Sequence, residues 1–168
     1  HIGYWNDHQI IYLLKLLEHL NATYPERIEE LFNDAIFSYA NIPYKIKKFK
    51  KIAENPKETI DFDFENHNKI LNLVNELGSD GRLLLNKDKD VYHVTLCEKL
   101  LVLSLAKICN YVPGAGIWLN TQRPEWNDAN NALVGNGCSM VTVYYLKRFL
   151  KFFKKIIARI ETVSYTHL

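Results

Sequence analysis

The sequence predicts a mainly α-helical protein, and three of its features do so. Apolar residues recur at the three- and four-residue spacing of a single helix face in several long segments. Helix start signals precede some of these segments, namely Asp63, the Thr95/Glu98 pair and Ser139, each able to accept from an otherwise unpaired first-turn N–H. Glycines follow others, with Gly78 and Pro113-Gly114-Ala115-Gly116 marking helix ends. Extended structure is expected only in short pieces.

Taken in order, Ile10, Ile11, Leu13, Leu14, Leu17 and Leu20 predict a first helix over about 8–21, with Asp7 at its N-cap or first turn. Thr23 and Glu26 have capping-box spacing around Pro25 and predict a short helix through Leu31 and Phe32. Ala35 to Tyr39 is short, apolar and aromatic and suits a strand, Tyr44 to Lys51 is basic, and Pro56-Lys57 reads as a loop. From Asp63, residues Ile70, Leu71, Val74 and Leu77 define one helix face up to Gly78, followed by a turn at Ser79-Asp80-Gly81, a short strand at Leu83-Leu84-Leu85 and a charged loop at Asn86 to Asp90. Thr95 opens an apolar helix to about Cys109, and a long loop is expected over about 112–138. Ser139 then caps a final helix over about 140–161, with Leu146, Phe149, Leu150, Phe153, Ile156, Ile157 and Ile160 on its apolar side. Its basic residues Lys147, Arg148, Lys151, Lys154, Lys155 and Arg159 are expected to form a solvated outer face.

Composition narrows the class. With 48% hydrophobic and 24% charged residues the chain has the make-up of a globular protein, and a net charge of +2 gives no reason to expect a nucleic-acid partner. The most apolar run, Leu100 to Ala106, is far shorter than the ~20 residues a membrane span needs, so no membrane partner is expected. Cys97, Cys109 and Cys138 lack C-x-x-C spacing, which predicts neither a disulfide framework nor a metal site and makes a reducing, cytoplasmic compartment the default.

The segment richest in chemistry is Gln122-Arg123-Pro124-Glu125-Trp126-Asn127-Asp128-Ala129-Asn130-Asn131, closed by Val134-Gly135-Asn136-Gly137. Amides, carboxylates and a guanidinium hydrogen-bond the hydroxyls of a sugar, an indole covers the apolar face of its ring, and a carboxyl group transfers a proton. The plainer alternative is a polar surface turn tied by Asx hydrogen bonds. Gly135 and Gly137 read as backbone requirements of a tight turn, and the chain has no Gly-x-x-x-x-Gly-Lys phosphate loop.

Trp126-Asn127-Asp128-Ala129-Asn130-Asn131 with Val134-Gly135 resembles the acid-bearing loop of the cellobiose phosphorylase family, the inverting disaccharide phosphorylases, which reads Trp-Asn-Asp-Gly-Met-Asn and then Val-Gly. Ala129 and Asn130 depart from that pattern, which leaves the substrate open. Gly3-Tyr4-Trp5-Asn6-Asp7-His8-Gln9 resembles the sugar-contacting segment that opens a barrel helix in the same family. The resemblance implies a partial (α/α)6 barrel of the six-hairpin glycosidase type over residues 1–162, in which inner and outer helices alternate and loops at one end make the site. About 35–94 would be a small α/β decoration. It implies Asp128 as general acid, Glu125 as alternative acid or modulator of its pKa, and Trp126, Arg123, Asn127, Asn130, Asn131, Asp7 and His8 as substrate contacts. For His8 a hydrogen-bonded structural histidine is the competing role.

The implied activity is inverting phosphorolysis of a disaccharide or oligosaccharide, with no cofactor and with inorganic phosphate as co-substrate. Hydrolysis by water and a non-catalytic carbohydrate-binding or scaffold domain are the alternatives. The chain opens on His1 rather than methionine and is expected to be a fragment, inactive alone, with the phosphate site largely outside it. Val163-Ser164-Tyr165-Thr166-His167-Leu168 resembles a translated sequencing adapter, expected to break the preceding helical pattern.

Overall fold

Four helices carry the main core, and each owes its place to the apolar stripe read above. The computed structural model describes residues 7–119 and 133–166, with side chains described over 10–119 and 133–160. It is 60% helix and 15% strand, with six α-helices among the described residues. Helix α1 (Asp7–Thr23) and α2 (Pro25–Asn33) form a hairpin bent at Tyr24. Strand β1 (Phe37–Ser38), β2 (Tyr44–Ile46), α3 (Phe49–Glu54), β3 (Ile60–Phe62) and α4 (Phe64–Leu77) follow, with a 3-10 turn over Gly78–Arg82. Then come β4 (His93–Val94), α5 (Leu96–Ile108), β5 (Tyr111–Val112), β6 (Gly116–Trp118), β7 (Cys138–Ser139) and α6 (Met140–Thr166).

The buried cluster joins Ile10, Leu14 and Leu17 of α1, Ile28 and Phe32 of α2, Leu100 and Leu103 of α5, and Phe149, Phe153 and Ile156 of α6. Burying a side chain of this size contributes about 1.5–3 kcal/mol, so α1, α2, α5 and α6 hold one another through these positions. Phe32 and Phe153 stand 5.7 Å apart between ring centroids. No member of the cluster comes from between Phe37 and Leu96. That middle stretch carries small sheets of its own, with β2 antiparallel to β3 in the register Tyr44↔Phe62, and β1 antiparallel to β4 in the register Phe37↔Val94.

Two arginines fix how the helices sit. Arg148 makes a two-pronged pair with Glu18, its Nε donating at 2.8 Å. Lys15 lies over the ring of Tyr145 at 5.9 Å, so residues 15 and 18 of α1 meet 145 and 148 of α6 in step, and the two helices run parallel. Helix α2 runs the other way along α6, because Arg159 donates to the Pro25 carbonyl at 3.2 Å whereas Phe32 meets Phe153. Arg159 also donates to Asn21 Oδ1 at 2.8 Å and has Glu29 at 2.8 Å from Nε. The basic side of α6 is therefore not wholly a solvated face: its arginines tie three helices together.

The capping signals fare unevenly. Asp63 Oδ1 accepts from the Asn66 N–H at 2.9 Å, Thr95 Oγ1 from Glu98 at 3.2 Å, and Ser139 Oγ from Thr142 at 3.2 Å, so these helices start where predicted. Thr23 does not cap α2; it is the last residue of α1 and its hydroxyl donates back to the His19 carbonyl at 2.9 Å. The local bond four residues back is made inside a helix already running, and Tyr24 takes the cap position without a side-chain bond. Leu71 of the predicted α4 face is 42% exposed, and only Ile70 of that helix is buried.

The loop expected over 112–138 is ordered at both ends. Tyr111↔Ile117 and Ile117↔Ser139 make β5-β6-β7 a three-stranded antiparallel sheet, because Pro113-Gly114-Ala115 serves as the hairpin turn between β5 and β6. Helix α6 continues without a break through Val163 to Thr166, so the helical pattern does not end at residue 162. Among the described residues no helix is long and apolar enough to cross a membrane.

Candidate functional site

Arg123, Glu125, Trp126, Asn127, Asp128, Asn130 and Asn131 lie outside the described residues. Asp7 and His8 are described only as backbone, in the first turn of α1. What the structure does define is the frame from which the 120–132 segment leaves and to which it returns.

That frame is closed by hydrogen bonds. Leu119 N–H donates to the Gly137 carbonyl at 3.0 Å, and Gly135 N–H donates to the Leu119 carbonyl at 2.7 Å, so the outgoing and returning strands are clasped. Asn136 and Gly137 N–H both donate to the Leu133 carbonyl, at 2.9 and 2.7 Å, which makes 133–137 a tight turn. The indole N–H of Trp118 donates to the Gly135 carbonyl at 3.1 Å and locks strand β6 to that turn. Ile117 on β6 is buried in the main core, so the clasp is anchored to the helices.

The two glycines of the closing motif serve different ends. Gly135 has φ +75°, a backbone region that side chains avoid, and a Cβ there would stand 2.0 Å from the Pro56 Cβ. Gly137 has no positive φ; a Cβ there would meet Leu133 Cβ at 2.7 Å. The first is a conformational and packing requirement, the second one of close approach alone.

Pro56 belongs to an arm that sequence reading treated as plain loop. Phe49, at the start of α3, packs edge-on against Trp118 with ring centroids 5.3 Å apart, and Ile52 and Thr59 of the same stretch are buried. The α3–Pro56 arm thus buttresses the frame from outside the main core. No local signal marks such a pairing: Phe49 with Trp118 and Pro56 with Gly135 are matched only by the fold.

Helix polarity sets where the frame stands. Because α1 and α6 run parallel with 15 and 18 opposite 145 and 148, the turn containing Asp7 and His8 comes level with the start of α6. Strand β7 leads directly into α6, so the clasp sits at that same end. The first turn of α1 and the clasp therefore share one end of the helices.

Two titratable groups with shifted pKa values sit together where β1 meets α5. Burial, and then the carboxylate of Glu98, push the Tyr39 phenol above its ordinary value, while burial lowers Lys99. Tyr39 donates to Glu98 at 3.4 Å, and Lys99 donates to the Ser38 carbonyl at 2.5 Å with its ammonium 5.2 Å from the Tyr39 ring centre. Each polar group in this cluster has a partner within it, and its effect is to tie a strand to a helix. Among the described residues no three His, Cys, Asp or Glu side chains gather as a metal site would require, and the three cysteines are free thiols. No protein-family model matches the chain, and no curated protein matches it.

Proposed function

We propose that residues 1–162 are part of a carbohydrate-active enzyme built on an (α/α)6 barrel, cleaving a glycosidic bond with inversion by phosphorolysis of a disaccharide or oligosaccharide. One observation carries the reading: helices α1 and α6 start at the same end, and the clasp between Leu119 and the 133–137 turn lies there too. A barrel site made by loops at one end needs that convergence. The motif supplies the chemistry that the frame would present.

In this reaction Asp128 donates its proton to the departing glycosidic oxygen as that bond breaks. A phosphate oxygen attacks the anomeric carbon from the opposite face, giving a sugar 1-phosphate of inverted configuration and a free sugar. Asp128 must hold its proton near neutral pH, which burial or a neighbouring carboxylate achieves by disfavouring the charged form. Glu125, three residues away, is the neighbour in sequence. Trp126 would stack on the ring, while Arg123, Asn127, Asn130, Asn131, Asp7 and His8 would hold hydroxyls or phosphate. No cofactor is called for, and the cytoplasm is the compartment in which the sugar phosphate would be retained.

The test uses a longer protein containing residues 1–162 within a complete barrel. Phosphate-dependent release of an inverted sugar 1-phosphate from a disaccharide supports the reading. Free sugar formed equally well without phosphate would make the enzyme a hydrolase, which needs a second carboxylate about 6.5–9.5 Å from the first. Sugar binding without turnover would make it a binding module.

A further inference from the structure

The outer face of α5 is as apolar as its inner one. Leu100 and Leu103 are in the core, yet Leu101, Leu105 and Ile108 are 42%, 55% and 41% exposed. A helix that is apolar all round is normally covered on both sides. Where the last turn of this face, at Ile108, runs on to Tyr111 and meets the first half of α6 lies a groove of about 500 Å³, with Ile108, Tyr111, Val143, Leu146 and Leu150 in its lining. Leu146 is only 6% exposed and Leu150 37%, so the apolar surface is recessed and an occupant must reach it with side chains.

The charged residues of the lining are all cationic: Lys147, Lys151 and Lys154. They recur at i, i+4 and i+7 and so form one stripe along α6, roughly 10 Å long at 1.5 Å per residue. Whereas Arg148 and Arg159 on the same helix are engaged with Glu18, Asn21 and Glu29, none of these three lysines has an ion-pair partner among the described residues. An apolar trough with these lysines along it is complementary to a particular kind of surface.

We propose that the groove between α5 and α6 seats a partner α-helix that is amphipathic, apolar along one face and lined with carboxylates beside that face. Two helices side by side leave a trough into which the ridges of a third pack, and leucine-sized side chains from successive turns would fill the lining apolar space. The lysine stripe selects an acidic helix over a basic one and turns its carboxylate edge toward α6. The net charge of +2 leaves the stripe as a local feature, too small a field to steer nucleic acid.

The experiment takes the 168-residue chain and two fluorescein-labelled synthetic peptides of about 18 residues, or five helical turns. Both carry leucines at three- and four-residue spacing; one has glutamates flanking them and the other lysines in their place. Anisotropy titration should show saturable binding of the glutamate peptide, weakened by salt, and little binding of the lysine peptide. Leu150→Asp should weaken the glutamate peptide at least about tenfold, and the triple variant K147E/K151E/K154E should invert the preference. Circular dichroism of each variant reports whether the fold is retained, and the partly exposed lysine positions keep the triple variant informative if Leu150→Asp unfolds. Equal binding of both peptides, absence of binding, or binding indifferent to both variants overturns the proposal. So does Leu150-dependent flotation with phosphatidylserine vesicles, which would assign the groove to a membrane surface, or Leu150-dependent self-association in sedimentation, which would assign it to a second copy.

Discussion

Substituting alanine for Gly135 tests whether the α3–Pro56 arm holds the frame of the candidate site. Two costs add at this position. The first is conformational: φ +75° is a region where a Cβ-bearing residue is destabilised by about 1–2 kcal/mol. The second is steric, since the new Cβ would lie 2.0 Å from Pro56 Cβ and 3.0 Å from Pro56 Cα, against the ~3.5–4.0 Å at which carbons pack. Overpacking of this kind costs about 1–3 kcal/mol. Gly135→Ala should therefore lower stability by about 2–5 kcal/mol.

Gly114→Ala separates the two, because Gly114 has nearly the same φ, +77°, and nothing within 4 Å of its Cβ position. It should cost only the conformational part, about 1–2 kcal/mol. Urea unfolding followed by far-ultraviolet circular dichroism measures both. If the frame opens locally instead, hydrogen exchange will report it at the Leu119 and Gly135 amides, which make the clasp. Pairing Gly135→Ala with Pro56→Gly removes the clashing Cβ and should recover the steric part alone. The reasoning fails if Gly135→Ala costs no more than Gly114→Ala by both measurements, or if its cost is unchanged by the residue at 56.

Asp63→Ala removes the side-chain acceptor of the Asn66 N–H and should lower stability by about 1 kcal/mol, seen as a lower urea midpoint with unchanged slope. Tyr39→Phe should lose about 0.5–1.5 kcal/mol at pH 8 with the Glu98 hydrogen bond. Because the native Tyr39 pKa is raised, the unfolded chain gives up this proton first, so wild-type stability falls as pH rises past about 10 and the gap to Tyr39→Phe narrows. Lys99 titrates with the opposite sign, but both proteins carry it and it cancels; a gap constant from pH 8 to 10.5 would contradict the assignment. In a complete barrel, Asp128→Asn should slow cleavage of an unactivated disaccharide by about 10²–10⁴-fold with little change in binding, whereas Glu125→Gln should shift the acidic limb of the pH profile. The reverse pattern would move the acid to Glu125.

The helices were legible because their signals are local. An apolar stripe such as Ile10, Leu14 and Leu17 follows from the 3.6-residue turn, and the caps at Asp63, Thr95 and Ser139 need only an acceptor facing an N–H two or three residues on. Thr23 misled for the same reason: its spacing to Glu26 fits a cap, but α1 runs two residues further than predicted and absorbs it. The sheet β5-β6-β7 was missed because its strands are two or three residues long and its third strand is separated from the second by the whole loop. The motif residues could be named from sequence as a chemical set; their mutual geometry could not.

By itself the sequence determined the helical class and the main helix boundaries to within a few residues, since periodicity, capping and composition are properties of neighbours along the chain. Tertiary structure alone decided that α1 and α6 run parallel, that Arg148 and Arg159 join helices, that Pro56 fills the space Gly135 leaves, and that α5 keeps an apolar outer face near three lysines without an ion-pair partner among the described residues. Each of those depends on residues far apart in sequence, and such pairings are chosen by the packing of the whole core, which no single segment encodes.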